Sequence, residues 1–379
     1  MSGAITVVSG GPVFDGTSVH RGVEAVFRRG VFQGLCPAGT TAQAGDRLDL
    51  GGSILAPGFV DLQVNGGGGV MLNDDPSPHT LRRMAEAHAT LGVAGFLPTL
   101  ITDCPQTVTQ AIRATGEALA LGVPGVAGLH LEGPHLSVAR KGAHDPAHIR
   151  PMTDADLEAL VAAKATLPVL MVTLAPESVT SEQVRRLSDA GVIVSLGHTD
   201  AGYRTCQAYA AAGARAVTHL FNAMSQFGSR EPGLVGAALD GPRLCAGLIA
   251  DGVHVHPASM RLAWRAKGEA RQLFLVSDAM AVAGTGLDHF HLGGRRIQRR
   301  GGQLRLEDGT LAGADLDLLQ AVRVLVDAVS IDLAPALAAA TSVPAEIAGL
   351  PLGRLRAGKT PLAGLNKIAP DLASLARVR

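Results

Sequence analysis

Short apolar runs recur along the chain, and each closes on polar or turn-forming residues. They read ILAPGFVDLQV, AGFLPTL, VAGLHLEG, PVLMVTLAP, GVIVSLGH, ARAVTHLF, CAGLIADG and LFLVSDAM, and they lie between residues 54 and 280. Brief runs rich in Val, Leu and Ile are the pattern of strands buried on both faces. Between most of them stand stretches of helical character, such as SPHTLRRMAEAHATLG, PQTVTQAIRATGEALALG and SEQVRRLSDAG. In the last of these, Val184 and Leu187 are three apart, on one helix face, and Gly191 sits where a helix ends on glycine. Strands alternating with helices build parallel βα units. Eight such units predict an α/β fold, a (β/α)8 TIM-like barrel. A doubly wound open sheet is the alternative, and the count of eight ranks it second.

Residues 1–53 follow another pattern. AITVVSGGPVFDG and VEAVFRRGVFQGLCPAG read strand–turn–strand with no long helical stretch. They predict a small β domain ahead of a barrel over residues 54–350. GGRRIQRRGGQLRLEDGTLAG, residues 293–313, predicts a hairpin inserted after the eighth strand, and ADLDLLQAVRVLVDAV an amphipathic helix after it.

Composition narrows the classes. With 379 residues and 47% hydrophobic content, the chain can bury a barrel-sized core and a smaller one. Lys+Arg and Asp+Glu are 33 each, so bulk charge offers nothing to nucleic acid or an acidic membrane. Aromatics at 3% argue against base-stacking surfaces. Cys36, Cys104, Cys206 and Cys245 are far apart with no CxxC, the pattern of reduced thiols in a cytoplasmic protein. The first residues lack a signal peptide's basic and apolar regions. No apolar run approaches the roughly 18 residues of a membrane helix.

In a barrel of this kind the site lies at the C-terminal strand ends. Those ends carry Gln63 and Asn65, His130 and Glu132, His198, His219, Asp251 with His254, and Asp278. Glu132, His198 and His219 form a His2Glu set that can hold a divalent metal and leave a position for water. Such a metal lowers the water's pKa and polarises a carbonyl. A nearby carboxylate can take the water's proton and pass it to a leaving group. The set therefore points to a hydrolase of an amide or similar bond. One histidine at a strand end is commonly a structural residue; four separate strands delivering Glu, His, His and Asp is a different matter. His20, His79, His88 and His148 are expected at the surface. His289 and His291 lie beyond the eighth strand and are set aside, and His256 stands at a helix start.

Together, PGFVDLQVNG, HLEGPHL, KGAHDP, GHTDAGY, THLFNAM, REPGLVGAAL, IADGVHV, VSDAM and GTLAG resemble the N-acetylglucosamine-6-phosphate deacetylases of the amidohydrolase superfamily. The likeness runs in order over residues 54–320. It implies removal of the acetyl group from the amino-sugar phosphate, giving glucosamine 6-phosphate and acetate. It implies Glu132, His198 and His219 as metal ligands and Asp278 as general acid/base. It implies substrate contacts at Ala143, His144, Asn222, Ala223, His254, Leu311, Ala312 and Gly313. It also implies a homodimer in which Arg230 reaches the partner's phosphate; an arginine fork suits that group. The bland alternative for Arg230 is an ion pair with Glu231.

Many amidohydrolases carry His-x-His on the first barrel strand. Here the pair is Gln63 and Asn65, poor ligands for a zinc-type ion but able to hydrogen-bond the ligands that remain. The resembled branch has Gln-x-Asn and one metal, so one divalent ion per chain is expected, Zn2+ or else Fe2+. His135 stands where the family more often has a large aromatic, which predicts a more polar wall beside Glu132. Residues 351–379 resemble the family's ending in part, with Thr360-Pro361 in place of Ala-Asp. They are expected to complete the small domain as a β-sandwich with the N-terminal segment. Two other functions stay open: deacetylation of another amino-sugar phosphate, such as the galactosamine epimer, and a non-catalytic binding barrel.

Overall fold

The computed structural model describes residues 4–41, 45–267 and 272–378. Eight parallel strands follow one another around a barrel: Phe59–Val64, Val93–Ile101, Leu129–Glu132, Leu170–Leu174, Ile193–Leu196, Ala216–Val217, Cys245–Leu248 and Leu273–Leu275. Each pairs with the next in parallel register, as in Leu129 with Leu170 and Val172 with Val194. Past the ends of strands one and eight, Val64 bridges Ala279, and the Asp278 N–H donates to the Gln63 carbonyl at 3.1 Å, which closes the barrel. Helices cover the strands, so nearly every strand residue is buried and the runs are continuous in Val, Leu and Ile.

Local signals account for the helix ends. Ser77 caps Pro78–Thr90 by accepting the Thr80 N–H, and Thr153 and Thr180 form capping boxes on Asp154–Thr166 and Ser181–Asp189. In the latter helix Val184 and Leu187 are the buried residues, and Gly191, with φ 86°, follows the last turn.

Two further sheets come from the chain's ends. One orders Val31–Pro37, Val23–Arg28, Ile5–Ser9 and Asp46–Asp49; the other joins Val13–Phe14, Val19–His20 and Ile54–Ala56 to Asn366–Ile368 and Leu375–Arg377. Val8, Phe27 and Phe32 from the first pack with Val13 and Leu55 from the second, so the sheets share one sandwich core. Ile54–Ala56 is therefore a strand of this sandwich, and the barrel's own first strand starts at Phe59. Pro57-Gly58 breaks the single run that the sequence presents.

The insert after strand eight also differs from the expected hairpin. It is a three-stranded antiparallel sheet of His289–Leu292, Arg295–Arg300 and Gln303–Arg305, so the His289-Phe290-His291 stretch is its first strand. Phe290, Leu292, Ile297 and Leu304 pack on Met71, Met280 and Ala312, which seats the insert beside the barrel mouth.

Candidate active site

Glu132 ends strand three, while His198, His219 and Asp278 follow strands five, six and eight by two or three residues. His198, His219 and Asp278 have φ of 47°, 31° and 49°. With Phe221 and Ala223 they make five of the eight non-glycine residues with positive φ among the described residues. Such backbone costs an L-residue about 1–2 kcal/mol. Its concentration at one barrel end is the mark of a place where geometry overrides backbone preference.

Glu132 Oε1 lies 3.1 Å from His198 Nε2 and 3.0 Å from His219 Nε2, and the two nitrogens are 3.1 Å apart. All three side chains are buried. His198 Nδ1 faces the Arg140 carbonyl at 2.8 Å; a carbonyl only accepts, so the ring's proton is there. In neutral imidazole that leaves the Nε2 lone pair facing a carboxylate oxygen, a repulsive arrangement unless a cation lies between. An ion with bonds of 2.0–2.1 Å in tetrahedral geometry separates its ligand atoms by about 3.3 Å, close to this triangle. The residues present fit a metal ion. Gly142, with φ 55°, packs on the His198 ring, where a Cβ would stand 3.3 Å from Cε1.

Strand one supplies hydrogen-bond donors. Gln63 Nε2 donates to Glu132 Oε2 at 3.1 Å and to Asp278 Oδ1 at 3.2 Å, and Asn65 Nδ2 donates to Asp278 Oδ1 at 2.7 Å. Glu132 thus turns Oε1 to the imidazoles, and Asp278 keeps Oδ2 free of both amides. Asn65 Oδ1 is buried without a partner among the described residues, and Asn65 lines the cavity. Burial and the neighbouring Glu132 charge push the Asp278 carboxyl up to about 6.

The cavity over this floor holds about 570 Å³. Ala143, His144, Asn222, Ala223, His254, Leu311 and Gly313 line it; Ala312 is buried behind the wall and Gln63 beneath the floor. His144 accepts the Thr102 N–H at Nδ1, 3.3 Å, so its Nε2 carries the proton. Burial, then the nearby His198, lower it to about 3, so it is a neutral donor. His254 Nδ1 is 2.6 Å from Asp251 Oδ2, while Asp251 Oδ1 takes the backbone N–H of Val253 and His254. Asp251 thus fixes the His254 ring.

Arg230 is exposed and outside this cavity's lining. It makes no ion pair with Glu231, whose carboxylate instead accepts the N–H of Tyr203 at 2.7 Å and of Gly233 at 2.9 Å. Among the lining residues that escaped the sequence are Arg140 and Arg305, with Met280 and Leu292. The last three belong to the insert or its seat, and no local motif announces that it folds over the mouth.

His88, expected at the surface, is buried. Its Nε2 bonds the Gly66 carbonyl at 2.9 Å, so the histidine fastens the glycine run after strand one to the first helix. A Cβ on Gly67 would stand 2.7 Å from that nitrogen, and one on Gly66 2.5 Å from the Val70 carbonyl oxygen, which is why glycines stand here. His79 is exposed, and His20 and His148 are half-buried. His256 caps Pro257–Ala266 by accepting the Ala258 N–H. His289 and His291 stand apart from the metal-type cluster. His135 does not line the cavity; its Nδ1 bonds the Arg150 carbonyl at 3.0 Å.

A family model described as the amidohydrolase family matches residues 54–363. The N-acetylgalactosamine-6-phosphate deacetylase of Shewanella sp. (strain ANA-3) is 46% identical over 306 residues, 80% of this chain and 77% of its own. The N-acetylglucosamine-6-phosphate deacetylase of Haemophilus influenzae is 36% identical over 329 residues, 86% and 84% of the two chains. Among solved structures, an N-acetylglucosamine-6-phosphate deacetylase from Pasteurella multocida superposes with a TM-score of 0.91 at 33% identity, over 97% of this chain and 96% of that one. Another, from Mycobacterium smegmatis, gives 0.89 at 30% identity over 99% and 98%.

Proposed function

The chain belongs to the amidohydrolase family, and on that premise we propose that it hydrolyses the N-acetyl group of N-acetylglucosamine 6-phosphate, giving glucosamine 6-phosphate and acetate. The observation that carries this reading is the Glu132–His198–His219 triangle facing Asp278 across one cavity. A divalent ion bound there, taken here as one Zn2+ per chain, would polarise the acetyl carbonyl and make water a stronger nucleophile at neutral pH.

The chain's residues do the rest. Asp278 Oδ2 accepts the attacking water's proton while the amides of Gln63 and Asn65 hold Oδ1. The carbon–nitrogen bond then breaks, the acetyl carbon keeps the water's oxygen as acetate, and Asp278 returns the proton to the departing amine. His144 offers a neutral N–H and His254 a ring fixed by Asp251, both aimed at substrate. Arg230 reads the phosphate of a partner subunit's substrate in a homodimer, which fits its exposure and its place outside its own chain's cavity. Free Cys36, Cys104, Cys206 and Cys245 fit a reducing, cytoplasmic setting.

A second reading has its own support. The Shewanella galactosamine-type relative shares 46% of aligned positions, against 36% for the Haemophilus glucosamine-type enzyme. The epimers differ at one hydroxyl, so the same floor serves both. Acetate release from N-acetylglucosamine 6-phosphate and N-acetylgalactosamine 6-phosphate, assayed in parallel, tests both readings. A larger kcat/KM on the galactosamine compound selects the second, and no release from either overturns both.

A further inference from the structure

Asp61 lies on strand one two residues before Gln63 and four before Asn65, which directly follows the strand, so the three side chains alternate onto one side. It is wholly buried, and the mechanism above gives it no task. Its carboxylate accepts the Ser277 N–H at 3.3 Å and 3.2 Å, one distance to each oxygen, and Oδ1 also accepts the Gln63 N–H at 3.2 Å. Among the described residues no cation pairs with it, and burial raises it to about 7. A buried carboxyl held only by hydrogen bonds is costly. It stands where no strand pairing satisfies the Ser277 N–H, because strand eight ends at Leu275 and the bridge to strand one is made only at Ala279.

That gap contains Asp278. Its left-handed backbone, φ 49°, leaves the sheet geometry just where its carboxylate must face the triangle. The Asp278 N–H is fixed to the Gln63 carbonyl, and the preceding N–H is fixed to Asp61. We infer that Asp61 is a positioning residue, which clamps Ser277 to strand one and so holds Asp278 in the strained backbone that aims its carboxylate. Asp61, Gln63 and Asn65 then act as one ladder: the first rung grips the backbone before the base, and the next two grip the base's Oδ1. This inference rests on the deacetylase reading for its kinetic effect, but its structural claim stands apart from that reading.

Asp61→Asn tests it. The amide must turn an N–H toward either Ser277 or Gln63, whose backbone groups are themselves donors, so one bond is lost. Expected is a 10- to 100-fold fall in kcat, with KM within about twofold and metal content and melting temperature close to wild type, since misplacing a reacting group by about 1 Å costs on the order of 10²-fold. Hydrogen exchange at the Ser277 and Asp278 amides should quicken in the same variant. Wild-type kcat, or unchanged exchange at both amides, overturns the clamp. Should Asp61→Asn not fold, Asp61→Ser, whose single oxygen on a shorter side chain replaces the carboxylate that accepts the Ser277 and Gln63 N–H groups, should lower kcat at constant KM; unchanged kcat there overturns it equally. If the wild type cleaved neither amino-sugar phosphate, the exchange result would still decide the clamp while the deacetylase reading alone would fall.

Discussion

Asn65 Nδ2 stands 2.7 Å from Asp278 Oδ1, the shortest of the bonds that fix the carboxylate, and it joins the first barrel strand to the last. A carboxylate accepts and an amide N–H donates, so the pair keeps Asp278 ionised and points Oδ2 at the cavity. Asp278→Asn should therefore abolish most turnover, by about 10²- to 10⁴-fold, because an amide cannot take water's proton. Metal bound per chain should stay at the wild-type level, since Asp278 is outside the triangle. Acetate release and metal analysis on one preparation check this; near-normal rates would remove Asp278 from the base role.

Gln63 and Asn65 donate to carboxylates, an arrangement suited to second-layer support and not to ligation. Protein purified without added metal should hold one tight ion per chain, lost in Glu132→Gln. A ratio near two that falls to one in Gln63→Ala would make the amides ligands.

Arg230→Ala should raise KM for the phosphorylated sugar by about 10- to 100-fold, the scale of a lost charge-assisted bond. The unphosphorylated sugar should be unaffected. Mixing Arg230→Ala subunits with Asp278→Asn subunits should restore part of the activity if each site draws on both chains. Absence of rescue after verified subunit exchange would place Arg230 in its own chain's site.

Glu231 ties the Arg230 loop to the start of helix Tyr203–Ala211, whose N-cap Gly202 has no side chain to cap it. Glu231→Ala should reproduce a weaker form of the Arg230 defect, a KM rise of about 3- to 10-fold on the phosphorylated substrate. An equal effect on the unphosphorylated sugar would show that the loop does not act through Arg230.

Asp156 is gripped by Arg150 at 2.5 and 2.6 Å and bonds Thr153, which holds its carboxyl well below the usual carboxylate range. A depressed carboxyl stabilises the fold above its ordinary pKa, near 4, and that stability is lost as pH falls toward the folded value. Asp156→Asn should cost about 1 kcal/mol at pH 7 after solvent screening. The melting-temperature gap from wild type should shrink below about pH 4; a gap constant with pH would assign the loss to packing.

By itself the sequence determined the barrel and the strand ends at which its metal-type residues gather. Eight apolar runs with helices between them leave few ways to bury both faces of each strand, and strand ends are fixed by the same runs, so Glu132, His198, His219 and Asp278 could be read without coordinates. The buried face and the end of one helix followed as well, since Val184, Leu187 and Gly191 act within Ser181–Asp189 and its last turn. Whatever depended on contacts between distant segments was decided only by the tertiary structure. Ile54–Ala56 reads as continuous with strand one, yet pairs with Asn366–Ile368, more than 300 residues away. His88 has the pattern of a helix-surface residue, but the glycine run folds onto it. Arg230 and Glu231 are neighbours in sequence, and yet Glu231 is drawn to the N–H groups of Tyr203 and Gly233. Asp61 looks like one polar residue in an apolar run. Its partner Ser277 is brought beside it only when strand eight meets strand one, because closing the barrel is a non-local event that no window of sequence contains.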